Sequence, residues 1–456
     1  MPTKPVCDDD LHSEMLRLFI IGCVLSLFIV LKLFRSSRKG PTHVGLQLTY
    51  LGVFWMNHWA VPVIYLLPWY CGEQPTFTLL GVRQSLYGLI GYTAGLTVIP
   101  ILFKLRARAL PSITGVPANL RYSMLSIGLF FQIVLARVSF IPGFQWVVGA
   151  GRSLAVVAVI LGIWNAVCKR DQRSALKWML AGVIFPISSV MTVGFLNYGI
   201  IMMLSVVIFW LAQQKNLFRL VIFGALGSYL LVSVYVTYMR DRNDIRQTIW
   251  RKKNTDAFQR VTKIIGTFSN FELFSLYNDS HLEAVDGRLN QNWLVGAAVV
   301  HSESTQEWAA GETLIDAALG FIPRILWPDK PAAGSGDLVS KYTGIDFDSS
   351  TSVGIGQVME FYVNFGPPLV FIGFFVWGGV LAWLDNRCVR CLNTGDIEKF
   401  TTLLLIGLPM LNLGGSLLEV VAGVAGGVVM ANICNKAVIA QAKRRWHRRK
   451  PVPVQV

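Results

Sequence analysis

Charge is what this chain has least of. Only 15% of its 456 residues are Asp, Glu, Lys or Arg, where a soluble domain carries about 25%. Acids are the scarcer half, 26 against 41 Lys and Arg, for a formal net charge of +15. The shortage excludes an ordinary soluble fold. The surplus of base has no soluble basic domain to carry it, which excludes nucleic-acid binding. It fits a membrane protein that collects Lys and Arg in its cytoplasmic loops. Cysteine is sparse as well, at seven. Cys388 and Cys391 form a lone C-x-x-C, and without a second ligand pair at suitable spacing this excludes a zinc site. Cys7 and Cys71 can both face the outside, where a disulfide between them is conceivable. The opening "MPTKPVCDDDLHSE" is acidic where a signal peptide has a basic n-region, so the first apolar run reads as a retained helix. No internal repeat or low-complexity segment is present.

What is abundant is apolar sequence, 53% of residues, with a mean hydropathy of +0.51. Runs long enough to span a bilayer fall near 14–34, 44–68, 80–103, 122–141, 145–167, 176–194, 196–212, 217–238, 355–384, 398–414 and 416–435. The expected fold is therefore all-α and polytopic, with about 11 transmembrane helices. Lys and Arg cluster after alternate spans, at Lys32 to Lys39, Lys104 to Arg108, Lys169 to Lys177, Lys215 and Arg219, Arg387 to Lys399, and in the tail "KRRWHRRKP". The loops between, "YCGEQPTFT" and "IPGF", carry none. The positive-inside rule puts the basic loops and the C-terminus in the cytoplasm, and the N-terminus outside. The expected organisation is membrane helices over 1–238, a large, partly helical periplasmic loop over 239–353, membrane helices over 354–436 and a basic cytoplasmic tail over 437–456. A loop of that size is usually functional. Within it, "NTDAFQRVTKIIGTFSNFELFSLY" has helical periodicity suited to the membrane surface.

A carrier would show charged groups at mid-membrane and broken helices in matching halves. Arg152 lies inside the fifth expected span and is costly unless it faces a partner or cavity, so it is a candidate binding residue. His58 and Arg137 read as a packed bundle residue and an interfacial, snorkelling one. Few acids lie within spans, and one large loop does not suggest inverted repeats. An enzyme at the outer face fits better. The large loop supplies Arg240, Arg242, Arg288 and Arg324, and arginine binds phosphate through two parallel hydrogen bonds. The run Arg246 to Lys253 suits anionic head groups. "DFDSS" holds a lone D-x-D, too common to imply a metal, and no metal or cofactor is expected.

Three pieces are more particular: "DGRLNQNW" (Asp286 to Trp293), "FIPRILWPDKP" (Phe321 to Pro331) and "GIGQVMEFYVNFG" (Gly354 to Gly366). In the last, Glu360 and Asn364 share one helical face, and a carboxylate there suits general acid–base work. Together, G-R-L-N-Q, I-P-R-x-L-W-P-D-K-P and G-x-x-x-E-x-Y-x-N-F-G after a polytopic region resemble the Wzy-like, O-antigen polymerase family of oligosaccharide repeat-unit polymerases. The resemblance covers about Arg240 to Gly366. It implies a metal-independent, inverting glycosyl transfer on the periplasmic face of a bacterial inner membrane. Donor and acceptor would be undecaprenyl-pyrophosphate-linked glycans, and a flippase and a chain-length regulator would be partners beside the lipid bilayer. On that reading Glu360, Arg324 and Arg288 are catalytic, with His301 and Asp286 as reserve bases. Arg240, Arg242, Arg152, Trp327, Lys330, Tyr362 and Asn364 bind substrate. Trp327 stacks on a sugar ring or anchors at the interface. The alternatives are an O-antigen-ligase-like transferase and a lipid-linked oligosaccharide flippase.

Overall fold

The computed structural model describes residues 9–37, 43–104, 116–135, 145–193, 196–213, 217–247, 257–324, 326–331, 336–348, 351 and 353–441. Cys7, Arg137, Arg251 to Lys253 and the basic tail from 442 onward lie outside the described residues. The protein is all-helical, with no strand among the described residues. Its helices are α1 (Asp9–Ser37), α2 (Leu46–Phe54), α3 (Ala60–Tyr65), α4 (Pro75–Leu102), α5 (Ala118–Ile133), α6 (Gln145–Cys168), α7 (Gln172–Ala181), α8 (Ile184–Val193), α9 (Asn197–Ala212) and α10 (Leu217–Arg246). There follow α11 (Ala257–Ser269), α12 (Asp279–Leu289), α13 (Gln291–Thr305), α14 (Glu312–Ala318), α15 (Gly336–Thr343), α16 (Gln357–Thr394), α17 (Ile397–Gly407) and α18 (Leu417–Cys434).

Six stretches among the described residues are long and apolar enough to cross a membrane: Asp9–Ser36, Pro75–Leu102, Gln145–Cys168, Gln172–Thr192, Gln357–Thr394 and Leu417–Ile439. Two of the other expected runs are broken up. Residues 44–68 fold as α2, a π-helical turn at Trp55–Trp59 and α3. Residues 398–414 become α17, a 3-10 turn at Pro409–Leu411 and a non-helical stretch.

The run read as one span at 355–384 is two helical pieces. Phe365 and Gly366 leave helical geometry, Gly366 at φ 68°, and Pro367 and Pro368 follow. Two prolines remove the N–H groups a helix would need there. In a continuous helix Phe361 and Phe374 would lie about 20 Å apart, yet their rings are 5.6 Å apart. Residues 357–364 therefore run antiparallel to the long segment that follows. Phe374 packs on Gly88, midway along α4, so the short leading segment reaches deep into the bundle.

The bundle is organised around α4. A Cβ on Gly91 or Gly95 would overlap the carbonyls of Phe371 or Phe375 in α16. On another face, a Cβ at Gly81 would overlap the Asn292 carbonyl, and one at Gly296 the Phe77 carbonyl. These pairs run in opposite senses, so α13 lies antiparallel to α4 and starts about two turns inside its Pro75 end. Apolar burial drives little association in lipid, and close backbone approach through small residues takes its place. The segment 239–353 is thus held by α13 inside the helical bundle, with Leu294, Val295, Ala297, Ala298 and Val299 buried.

Gly296→Val is expected to cost about 1–3 kcal/mol or more by forcing α13 off α4. A drop in thermal unfolding midpoint in detergent checks it, against an unchanged midpoint for Gly266→Ala, whose added Cβ meets nothing within 4 Å.

Candidate functional site

The site grows from two helix starts that meet inside the bundle. α18 begins at Ser416, whose hydroxyl accepts the Glu419 N–H at 3.3 Å. This Ser-x-x-Glu spacing is that of a capping box. The first N–H groups of a helix have no partner within it, and at this depth water is scarce. Glu360 supplies one from another helix: its Oε2 accepts the Leu417 N–H at 2.7 Å. Its carboxyl also lies in electrostatic reach of Thr313, Glu419 and Asp316. Glu360 itself is 1% exposed.

The neighbours of Glu360 hold the large loop down. Asn364, one turn on, accepts the Gly311 N–H at 2.8 Å and donates to Thr313 Oγ1 at 2.7 Å and to the Glu360 carbonyl at 2.6 Å. Tyr362 points the other way, donating to Glu303 at 3.2 Å and packing on Trp308. The Ala309 N–H bonds the Val363 carbonyl at 2.8 Å. All three motif residues are therefore engaged by protein partners, and α14 is seated against α18.

Beyond α14 the chain forms a cationic wall. Gly320 packs on the Leu418 carbonyl, one residue from the N–H that Glu360 binds. Lys330 donates to the carbonyls of Gly320 and Ile322 at 2.6 and 3.0 Å. Arg324 donates to the Pro331 carbonyl at 3.1 Å. Burial pulls the Lys330 ammonium below its ordinary value, and the Arg324 charge adds to this. Neither cation makes an ion pair among the described residues. Trp327 is half-buried beside them, while Phe321 and Leu326 are 57% and 76% exposed.

The remaining expected residues lie apart from this wall. Arg240 is saturated: it pairs with Asp241 and Glu272 and donates to the carbonyls of Asn270 and Thr267, tying α10 to the end of α11 and the chain after it. Arg242 is half-buried on the same helix. Arg288 is exposed at the end of α12. Its neighbours in "DGRLNQNW" face inward. Asp286 accepts from Tyr65 at 3.0 Å, Tyr70 at 2.8 Å and Asn290 at 2.8 Å. Asn292 bonds His58 and Ser85. Burial raises the Asp286 carboxyl above its ordinary value, against the pull of those hydrogen bonds. His301 lies 3.9 Å from Glu307. Arg152 lies in α6, in electrostatic reach of Tyr198 of α9.

Two acids escaped the sequence reading. Glu419 stands in the first turn of α18, and its only advance signal was the Ser-x-x-Glu spacing. Asp385 is fully buried in α16 and accepts the N–H groups of Val44, Gly45 and Gln47, closing the start of α2. Cys388 and Cys391 are buried and free in α16, and no group of three His, Cys, Asp or Glu among the described residues is placed to hold a metal.

A family model described as Domain of unknown function (DUF8712) matches residues 70–397. The chain belongs to that family. The match spans "DGRLNQNW", the cationic wall and the Glu360 segment, and stops before α18. No curated protein matches the chain, and no solved structure does.

Two outcomes follow for these residues. Because the folded-state value of Asp286 is raised, native protein holds its proton more tightly than unfolded protein does. Its contribution is thus complete at low pH and lost as pH rises through the folded value. The unfolding midpoint of the parent minus that of Asp286→Asn should increase as pH falls from 7 towards 4. Arg240→Ala should lower the midpoint, while Arg324→Ala, with no ion pair to lose, should leave it nearly unchanged.

Proposed function

We propose that this protein is a membrane glycosyltransferase that polymerises lipid-linked oligosaccharide repeat units for an exported polysaccharide. It has about eleven spans in a bacterial inner membrane, and the segment 239–353 faces the periplasm. Support for that side comes from Cys71, which is disulfide-bonded, since disulfides persist on the oxidising side of a membrane. Gly72 abuts Asp286, so α12 shares that side. The observation that carries the reading is the pairing of Arg324 and Lys330 without a carboxylate partner among the described residues, against the first turn of α18. Two unneutralised cations among exposed apolar side chains suit a lipid-borne diphosphate. They would stabilise charge as it develops on the departing undecaprenyl pyrophosphate. Arg288, exposed on α12, is available to substrate. Arg240 acts as a brace, since its donors are already engaged.

The same reading covers a ligase that moves the glycan to a different acceptor. A carrier is the second reading, and one observation favours it. Non-helical segments at 365–366 and 412–416 interrupt helices inside the bundle, as in carriers.

The test is purified protein in lipid nanodiscs with an undecaprenyl-pyrophosphate-linked repeat unit. A ladder of longer products is expected, and Arg324→Ala should reduce it by about 100-fold or more, the scale of a lost charge-stabilising donor, without shifting the melt. Folded parent protein that yields no ladder sinks the polymerase reading. Movement of the lipid-linked substrate across vesicles, abolished by Arg152→Ala and indifferent to Arg324→Ala, would establish the carrier instead.

A further inference from the structure

Glu360 and Glu419 are within electrostatic reach of each other, yet their surroundings differ. Glu360 is closed off, with one oxygen committed to the Leu417 N–H. Glu419 keeps accessible surface. Its carboxylate has Asn412 Nδ2 at 3.4 Å, a long contact that leaves capacity to accept. Gly415 lies directly against both side chains, since a Cβ there would overlap Glu419 Oε2 and Asn412 Nδ2. At Gly414 an added Cβ would meet nothing within 4 Å, so the turn borders open space. Tyr198, 43% exposed, is in electrostatic reach of both Glu419 and Arg152. The Nε of Arg152 is buried without a hydrogen-bond partner. A bare guanidinium nitrogen inside a membrane helix is costly unless a ligand or cavity serves it.

We propose that Glu419 is the carboxylate a ligand hydroxyl meets, and that Glu360 is a positioning residue that fixes the first turn of α18 and so presents it. Asn412 beside it, and Tyr198 and Arg152 within electrostatic reach, orient the hydroxyl-bearing ligand. This rests on the glycosyl-transfer reading. In that reaction the acceptor O–H gives its proton to a Glu419 oxygen as its electron pair forms the bond to the donor C1. The C1–O bond to the diphosphate breaks, and its electron pair leaves on the diphosphate. Glu419 then returns the proton to solvent.

The test separates the two carboxylates without relying on activity. Protein in nanodiscs is treated with dicyclohexylcarbodiimide, which enters apolar regions and modifies carboxylic acids, and the adduct is mapped by mass spectrometry. An adduct on Glu419 and none on Glu360 is expected, lost from that peptide in Glu419→Gln. In the ladder assay, Glu419→Gln should fall by about 100-fold or more, the scale of a lost general base, with an unshifted melt. Glu360→Gln keeps an oxygen for the Leu417 N–H and should retain most activity, whereas Glu360→Ala should lower both melt and activity. An adduct on Glu360, no adduct on Glu419, or a full ladder from Glu419→Gln would overturn the assignment. If the parent makes no ladder, the glycosyl-transfer reading fails, and the labelling still decides which carboxylate is open.

Discussion

The hydrogen bond from the Leu417 N–H to Glu360 is the contact on which the rest of the site depends. A helix that starts inside an apolar bundle exposes N–H groups with no water to take them. Leaving one unpaired there costs more than the same loss at a surface. Glu360 meets that demand from a neighbouring helix, and in doing so joins α16 to α18. Asn364 on the same face carries the join on to α14 through Gly311 and Thr313. One carboxylate and one amide thereby set the relative positions of three elements far apart in sequence.

The arrangement also explains why the segment 239–353 behaves as part of the bundle. α13 approaches α4 through Gly81 and Gly296 closely enough that neither helix tolerates a Cβ. Asp286, Asn290 and Asn292 then bond Tyr65, Tyr70, Thr78, His58 and Ser85 at the edge of that contact. Polar side chains in such a place must be satisfied by each other, and these are. The cationic wall departs from that rule: among the described residues Arg324 and Lys330 bond carbonyls and make no ion pair. A departure from local consistency of this kind is where function is expected.

Much of the site was legible because motif residues announce themselves by type. Glu360, Tyr362, Asn364 and Arg324 stood out in "MEFYVNFG" and "FIPRILWPDK". Their partners did not, since Leu417 offers a backbone N–H and Gly320 a carbonyl, and neither depends on residue type. Arg240 and Arg324 looked alike in sequence. Acids 1 and 32 residues beyond Arg240 make it a brace, a difference that appears only once the chain is folded. Glu419 passed unremarked because an acid in a capping box reads as a helix start, whatever space lies beside it.

The sequence by itself determined the all-helical class and the presence of helices long and apolar enough to cross a membrane, while the glycine and prolines that break the helix at 366–368 sit inside a run that reads as one span. Hydropathy is a local property, written in consecutive residues. Only the tertiary structure decided that residues 357–364 turn back along the helix that follows them, that α13 inserts beside α4, and that Glu360 is buried while Glu419 keeps some accessible surface. Those outcomes depend on which backbone groups meet across hundreds of residues, and the hydrogen bonds and close glycine contacts that select them carry no signature in the chain order.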